Sequence, residues 1–285
     1  MTRPGSAALR QILTSAVAAY GETDVGSSKE ELLTFLLERG GPTAILASGL
    51  HDRSTREHPV ARALARSTSP AELLRRWGRL EKFGHAKNRT RLLDASGTAI
   101  RIEHFSLDET PAHPLNDLFI WGVLLGLLRH AGHEPARAWV GEVLIYEGEL
   151  QPVDEMPAQT STLRLVGFQT PATREPASPD AQTLAGRLEQ LVRTDLLAEW
   201  RVERASRALG LSARSLQRRL RSEGTTFSSE LQRTRVAVAR EMLLDRRLSL
   251  SEIAFCTGFS DLAHFSRIGR RFLDVPPSAF RDLLK

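Results

Sequence analysis

Two stretches near the carboxyl end carry side chains suited to the edges of DNA bases. In the first the candidates are Arg214, Gln217, Arg218 and Arg221; in the second they are Leu262, Ala263, Ser266, Arg267 and Arg270. Arginine can bind guanine O6 and N7 with two hydrogen bonds, glutamine can pair with adenine, and leucine or alanine can touch the thymine methyl. At helical spacing these residues fall on one face of each stretch. The opposite faces are apolar: Leu209, Leu211, Leu216 and Leu220 in the first, Ile253, Phe259, Phe265 and Phe272 in the second. The arginines therefore belong to wet faces and the large apolar side chains to cores.

Such faces need elements that hold them. Ala205–Ser222 (ASRALGLSARSLQRRLRS) and Ile253–Arg271 (IAFCTGFSDLAHFSRIGRR) repeat one pattern: a short helix, Gly-apolar-Ser, and a second helix with an apolar residue followed two places on by arginine. Leu216 and Arg218 correspond to Phe265 and Arg267. Gly210 and Gly258 stand where a helix must end with positive φ, which glycine adopts without strain. Ser212, and Ser260 or Asp261, then offer an oxygen to the free N–H groups of the following helix. Ser249 and Glu252 have capping-box spacing at the start of the second pattern. Two short helices around a tight glycine turn are a helix-turn-helix, whose second helix can enter the DNA major groove. Between the copies, Phe227–Asp245 has no proline or glycine and is expected to form one long helix. Such a spacer could hold two reading helices about one DNA turn, roughly 34 Å, apart.

The charge distribution agrees. Ala181–Lys285 holds 19 Lys+Arg against 12 Asp+Glu, a balance of +7, while Met1–Asp180 holds 20 against 22, a balance of −2. Gln169–Gln182 contains Pro171, Pro176 and Pro179 and no periodicity, so it is expected to link two domains. The expected division is a domain over 1–170, a linker over 171–182 and a second domain over 183–285.

The C-terminal residues resemble the AraC/XylS family of bacterial transcription regulators. The likeness is carried by ALGLSARSLQRRL at Ala208–Leu220, SLSEIAFCTGFSD at Ser249–Asp261, HFSR at His264–Arg267 and VPPSAFR at Val275–Arg281. It implies a DNA-binding regulator of transcription, not an enzyme, with double-stranded promoter DNA as partner and RNA polymerase, a small-molecule effector and a second copy of the chain as candidate partners. It also implies DNA contact for the outward residues of both second helices, now including His264. Two positions depart from the family pattern: Ser206 replaces a usual alanine, and Gly269 a usual phenylalanine. Glycine inside a helix costs about 1 kcal/mol against alanine, so the second unit is expected to be loosened and to lack a core aromatic.

The first 170 residues read as α+β. Helices are expected at Ala7–Tyr20, Lys29–Arg39, Val60–Arg66 and Pro70–Phe83, strands at Arg89–Leu93, Thr98–Phe105, Val140–Tyr146 and Thr162–Phe168. Leu118–Leu128 (LFIWGVLLGLL) is apolar throughout but has 11 residues, where a membrane span needs about 20, so it is expected to be a buried helix. The fold expectation is therefore an α+β N-terminal domain of mixed helices and a small sheet, unlike the all-strand cupin type, followed by an all-α C-terminal domain with two helix-turn-helix units joined by a long helix. SPAELLRRWGRLEKFGHAKNRTRLLDASGTAIRIEHF resembles another α+β sensor type found upstream of such modules.

Other chemistry is thinly represented. His104, His113, His130 and His133 lack supporting carboxylate spacing, so no metal is expected. There is no phosphate loop and no G-x-S-x-G, and no cofactor is expected. The single cysteine, Cys256, excludes an internal disulfide and fits a reducing cytoplasm. It is also the one candidate nucleophile for a DNA-repair methyl acceptor, but its apolar setting would suppress thiolate chemistry. A nonspecific nucleic-acid or scaffold protein is the remaining alternative, disfavoured because Gln217, Leu262 and Ala263 suit base edges, not phosphates. Trp77, Phe83, Phe119, Trp121, Trp139 and Tyr146 are expected to be core residues and could line an effector pocket.

Overall fold

The computed structural model describes residues 5–22, 28–51, 58–83, 87–96, 99–108, 111–168 and 183–283. The chain divides into two compact units, Met1–Ala172 and Thr173–Lys285. The segment expected to be a linker, 171–182, lies outside the described residues.

The N-terminal unit is α+β. Helices α1 (Gly5–Ala18), α2 (Lys29–His51), α3 (Pro59–Leu64) and α4 (Pro70–Phe83) precede strands β1 (Asn88–Ser96) and β2 (Ala99–Ser106). Helix α5 (Pro114–His130) follows, then β3 (Pro135–Val140), β4 (Val143–Glu147), β5 (Glu149–Leu150) and β6 (Thr162–Phe168). The strands form one sheet in the order β1-β2-β6-β3-β4-β5, antiparallel throughout. Ile100, Ile102, Leu163, Leu165, Ala138 and Val140 are buried, whereas Arg101 and Arg164 are exposed, which is the period-two pattern of a sheet with one covered face.

The apolar run is a buried helix. Leu118, Phe119, Trp121, Leu124, Leu125 and Leu128 are all fully buried in α5, each contributing about 1.5–3 kcal/mol. Its glycines let α2 approach closely: a Cβ at Gly122 would lie 2.2 Å from the Leu46 carbonyl oxygen, and one at Gly49 2.3 Å from the Val123 nitrogen. No helix among the described residues is long and apolar enough to cross a membrane.

Several N-terminal expectations are corrected. The strand expected over Val140–Tyr146 is a hairpin, because Gly141 takes φ 56° and turns β3 into β4. The helix expected to end at Arg39 resumes after Gly40 and Gly41, where the backbone leaves helical geometry, and runs from Pro42 to His51. Proline fits there because it opens the new segment, whose first N–H has no intrahelical partner. Trp139 is half-buried and stacks under Arg164 at 4.2 Å, so it is not among the core aromatics, whereas Trp77, Phe83, Phe119, Trp121 and Tyr146 are buried.

The C-terminal unit is helical: α6 (Leu184–Thr194), α7 (Val202–Ala208), α8 (Ala213–Ser222), α9 (Phe227–Leu243), α10 (Leu250–Cys256), α11 (Leu262–Leu273) and α12 (Pro277–Leu283). Helix α9 packs against α6 and also against α10 and α11. Leu184, Leu188, Val192, Leu196, Ala205, Leu216 and Leu220 make one buried cluster. Phe255, Phe259 and Phe265 are fully buried in the other half of the unit.

Gly269 does not loosen α11. The helix runs unbroken from Leu262 to Leu273, and Pro277 of α12 occupies the space beside it, with Cγ 2.5 Å from where a Cβ would stand. Glycine is the residue that lets α12 close onto α11. Gly269→Phe is therefore expected to destabilise the protein by about 1–3 kcal/mol through overpacking, read as an earlier urea midpoint at unchanged slope. A gain in stability would refute this account of the position.

Candidate nucleic-acid interface

The two turns between helices are built from the same hydrogen bonds. After α7, the Leu211 N–H donates to the Ser206 carbonyl at 2.8 Å and the Gly210 N–H to Arg207 at 3.1 Å. After α10, the Phe259 N–H donates to Ala254 at 3.0 Å and the Gly258 N–H to Phe255 at 2.9 Å. Both are the six-to-one and five-to-two pairs of a left-handed glycine cap, with Gly210 at φ 69° and Gly258 at φ 78°. The next helix starts at once in each case. Ser212 Oγ accepts from the Ser215 N–H at 3.1 Å, and Asp261 Oδ1 accepts from the His264 N–H at 2.6 Å. Asp261, not Ser260, is thus the second N-cap. Ser249 and Glu252 close the capping box of α10 with bonds of 2.7 and 3.2 Å.

Counted from these caps, the two helices correspond at three positions. Leu216 and Phe265 stand at the fourth position and are fully buried. Arg218 and Arg267 stand at the sixth, Arg221 and Arg270 at the ninth, and all four are exposed. Arg214 and Gln217 are exposed on α8, as are Leu262 and Ala263 on α11. These residues therefore share the solvent face of their own helix, whereas Ser266, also expected to point outward, is half-buried. Phe272, expected to point inward, is only half-buried.

His264 differs from the other candidates. It is half-buried, and its ring meets Phe259 edge-on with centroids 5.4 Å apart. Ser260 donates its one hydroxyl proton to Asp261 Oδ2 at 2.8 Å, which leaves the Ser260 oxygen to accept from His264 Nδ1, 2.9 Å away. Burial, then the neighbouring Arg267, pushes the imidazole pKa below its ordinary value. Near neutral pH His264 is thus an uncharged ring engaged at the helix start. The hydrogen bonds from the His264 N–H and the Ser260 hydroxyl in turn hold the Asp261 carboxyl below the usual range.

Two fixings were not anticipated from the sequence. Glu223, at the end of α8, accepts from the backbone N–H groups of Leu184 and Ala185 at 3.0 and 2.9 Å, capping α6 from 38 or 39 residues away. Arg193 on α6 pairs with Glu189 and also with Glu241 on α9. The Arg193–Glu189 pair has the i,i+4 spacing of one helix face, but nothing in local spacing marks the Glu223 cap or the Arg193–Glu241 pair, because those partners come together only when the bundle closes.

The histidines considered as metal ligands have separate engagements. His104 Nδ1 lies 2.6 Å from Asp117 Oδ1, His133 Nε2 donates to the Ser67 carbonyl at 2.9 Å, and His113 caps α5 through the Leu115 N–H at 3.3 Å. His130 ends α5. Cys256 is 5% exposed, inside α10.

A family model described as "Helix-turn-helix domain" matches residues 205–282. Among curated proteins, the chain is 36% identical over 74 residues to the transcriptional activator NphR of a Rhodococcus species, covering 26% of this chain and 22% of that one. It is 40% identical over 81 residues to the ornithine utilization regulator of Pseudomonas aeruginosa, covering 28% and 24%. The chain thus spans less than a quarter of the length of either relative. Among solved structures, the transcriptional regulator CdpR of Pseudomonas aeruginosa aligns over 95% of this chain and 97% of its own, at 18% identity and a TM-score of 0.39.

Proposed function

From a chain whose residues 205–282 are a helix-turn-helix domain of the AraC type, we propose that the protein is a sequence-specific transcription regulator of the AraC/XylS kind, built with two helix-turn-helix units. Units α7–α8 and α10–α11 each present a reading helix. Helix α9, 17 residues and so about 25 Å long, bridges them and sets α8 and α11 into adjacent major grooves. Arg214, Gln217, Arg218, Arg221, Leu262, Ala263, Arg267 and Arg270 face the duplex, and His264 holds the start of α11 in place. The N-terminal α+β domain receives an effector or a second copy of the chain, and promoter-bound protein then meets RNA polymerase. Reading genomic DNA places the protein in the cytoplasm.

The observation that carries this reading is the likeness of the two units: the same pair of glycine-cap backbone bonds and, counted from each N-cap, a buried residue at the fourth position and exposed arginines at the sixth and ninth. A single basic patch for phosphate binding needs no such repetition. Selection of DNA from a random library by the full chain tests the reading. The expected result is a motif of two half-sites about 10 base pairs apart; recovery of random sequence with a steep salt slope would point to phosphate binding alone. Arg218→Ala and Arg267→Ala should each weaken the selected site by about 1–3 kcal/mol and relax one half of it. Equal loss on scrambled DNA would reassign that arginine to the backbone.

A further inference from the structure

The two reading helices agree at the positions of their arginines and differ elsewhere. After the cap, α8 has Ala213 at the first position, Arg214 at the second and Gln217 at the fifth. At the same three positions α11 has Leu262, Ala263 and Ser266. On α8 the second and fifth side chains are long, exposed hydrogen-bonding groups. On α11 the exposed groups of the first turn are hydrocarbon, and Ser266 is half-buried. His264, the polar side chain of that turn, is held by Ser260 and Phe259.

Leu262 is 38% exposed, a large apolar side chain left in water at the head of α11. Phe265 and Ile268 supply that helix's contact with its own core, so Leu262 is not needed there. Arg267 and Arg270 on the same face fit a polyanion. In a major groove the apolar feature at base-edge depth is the thymine C5 methyl.

We propose that the half-site facing α11 is recognised through thymine methyl groups by Leu262 and Ala263, whereas the half-site facing α8 is recognised by hydrogen bonds from Arg214 and Gln217 to purine edges. The operator is then chemically asymmetric: one half depends on methyl groups and the other does not. This rests on α8 and α11 being the DNA-reading helices.

The test uses full-length protein and a duplex taken from the library selection. Each half is first assigned to its helix by which base preferences relax in Arg218→Ala or in Arg267→Ala. Each thymine is then replaced singly by deoxyuridine, which removes the methyl and leaves every hydrogen-bonding group in place. Affinity should fall about fourfold at one or two thymines of the α11 half, the loss expected for one buried methyl, with no measurable change in the α8 half. In Leu262→Ala, whose exposed side chain can be truncated without opening the core, the penalty should vanish at the thymine facing Leu262, while a second sensitive thymine, facing Ala263, keeps its own. A selected, sequence-specific site indifferent to deoxyuridine in both halves overturns this inference and leaves the wider reading standing. So does a deoxyuridine penalty that persists in Leu262→Ala at every sensitive thymine, or a Leu262→Ala defect seen only in promoter activation, which would assign Leu262 to a protein partner. Failure to select any sequence removes both.

Discussion

Gly258→Ala is expected to cost about 3–5 kcal/mol and to abolish specific DNA binding, whereas Gly210→Ala, at the matching position of the first turn, should cost only about 1 kcal/mol and leave binding intact. The two glycines have the same backbone conformation, φ 78° and 69°, so the price of placing an L-residue there is shared. What differs is the surroundings. A Cβ at Gly210 meets nothing within 4 Å among the described residues, but one at Gly258 would lie 2.2 Å from the Leu196 carbonyl oxygen and 3.0 Å from the Arg235 guanidinium. A backbone oxygen cannot swing aside as a side chain can. The turn after α6 would have to move, and Arg235, whose guanidinium reaches the same Leu196 oxygen at 3.5 Å, would move with it. Asparagine separates the two effects, since it tolerates positive φ better than alanine: Gly210→Asn should be nearly silent, and Gly258→Asn as damaging as Gly258→Ala. Urea unfolding of the four variants, with binding to a selected site, measures both. Equal losses at the two positions would mean that conformation alone, and not the Leu196 contact, decides.

That contrast also marks what could be read from the sequence. The need for positive φ at both positions is legible, because Gly-Leu-Ser and Gly-Phe-Ser each close a helical pattern, six residues before Leu216 and seven before Phe265. The capping box at Ser249 and Glu252 was legible for a similar reason, since both partners lie within one turn of chain. Leu196 approaching Gly258, Glu223 capping α6 and Pro277 filling the space beside Gly269 were not. Each joins residues brought together only by packing, and helical periodicity says which face is buried but not against what. Gly269 is the clearest case: helix propensity counts a glycine there as a loss, but Pro277 occupies the missing side chain's place. In the N-terminal domain the long buried helix was evident from Leu118–Leu128, while β3 and the second half of α2 were not. Gly40-Gly41-Pro42 reads as a terminator, and only α5 lying across it makes a second helix worth forming.

Asp117→Ala is the substitution expected to damage the N-terminal domain most, by about 3–5 kcal/mol. Asp117 is 1% exposed in the first turn of α5. One carboxylate oxygen lies 2.6 Å from His104 Nδ1 on β2, and the other accepts from the Thr160 hydroxyl at 2.6 Å. His104 and Thr160 are 3% and 8% exposed, so alanine would leave both polar groups without partners where water does not reach. Thr160 also receives the indole N–H of Trp121 on its carbonyl at 2.7 Å, and His104 packs edge-on against the same indole. One carboxylate therefore holds the sheet, the central helix and the chain leading into β6. Its charge also faces Lys29, whose pKa burial pushes down to about 8 and Asp117 pulls back up. Without the carboxylate, the Lys29 pKa should fall further. Asp117→Asn keeps the shape and part of the hydrogen bonding, and should cost roughly half as much. Thermal unfolding is the measurement: about 10 °C lower for alanine, with the asparagine variant between. A shift within 2 °C for alanine would show that water enters to replace the lost partners, and that the His104–Asp117–Thr160 cluster is not what fixes the core.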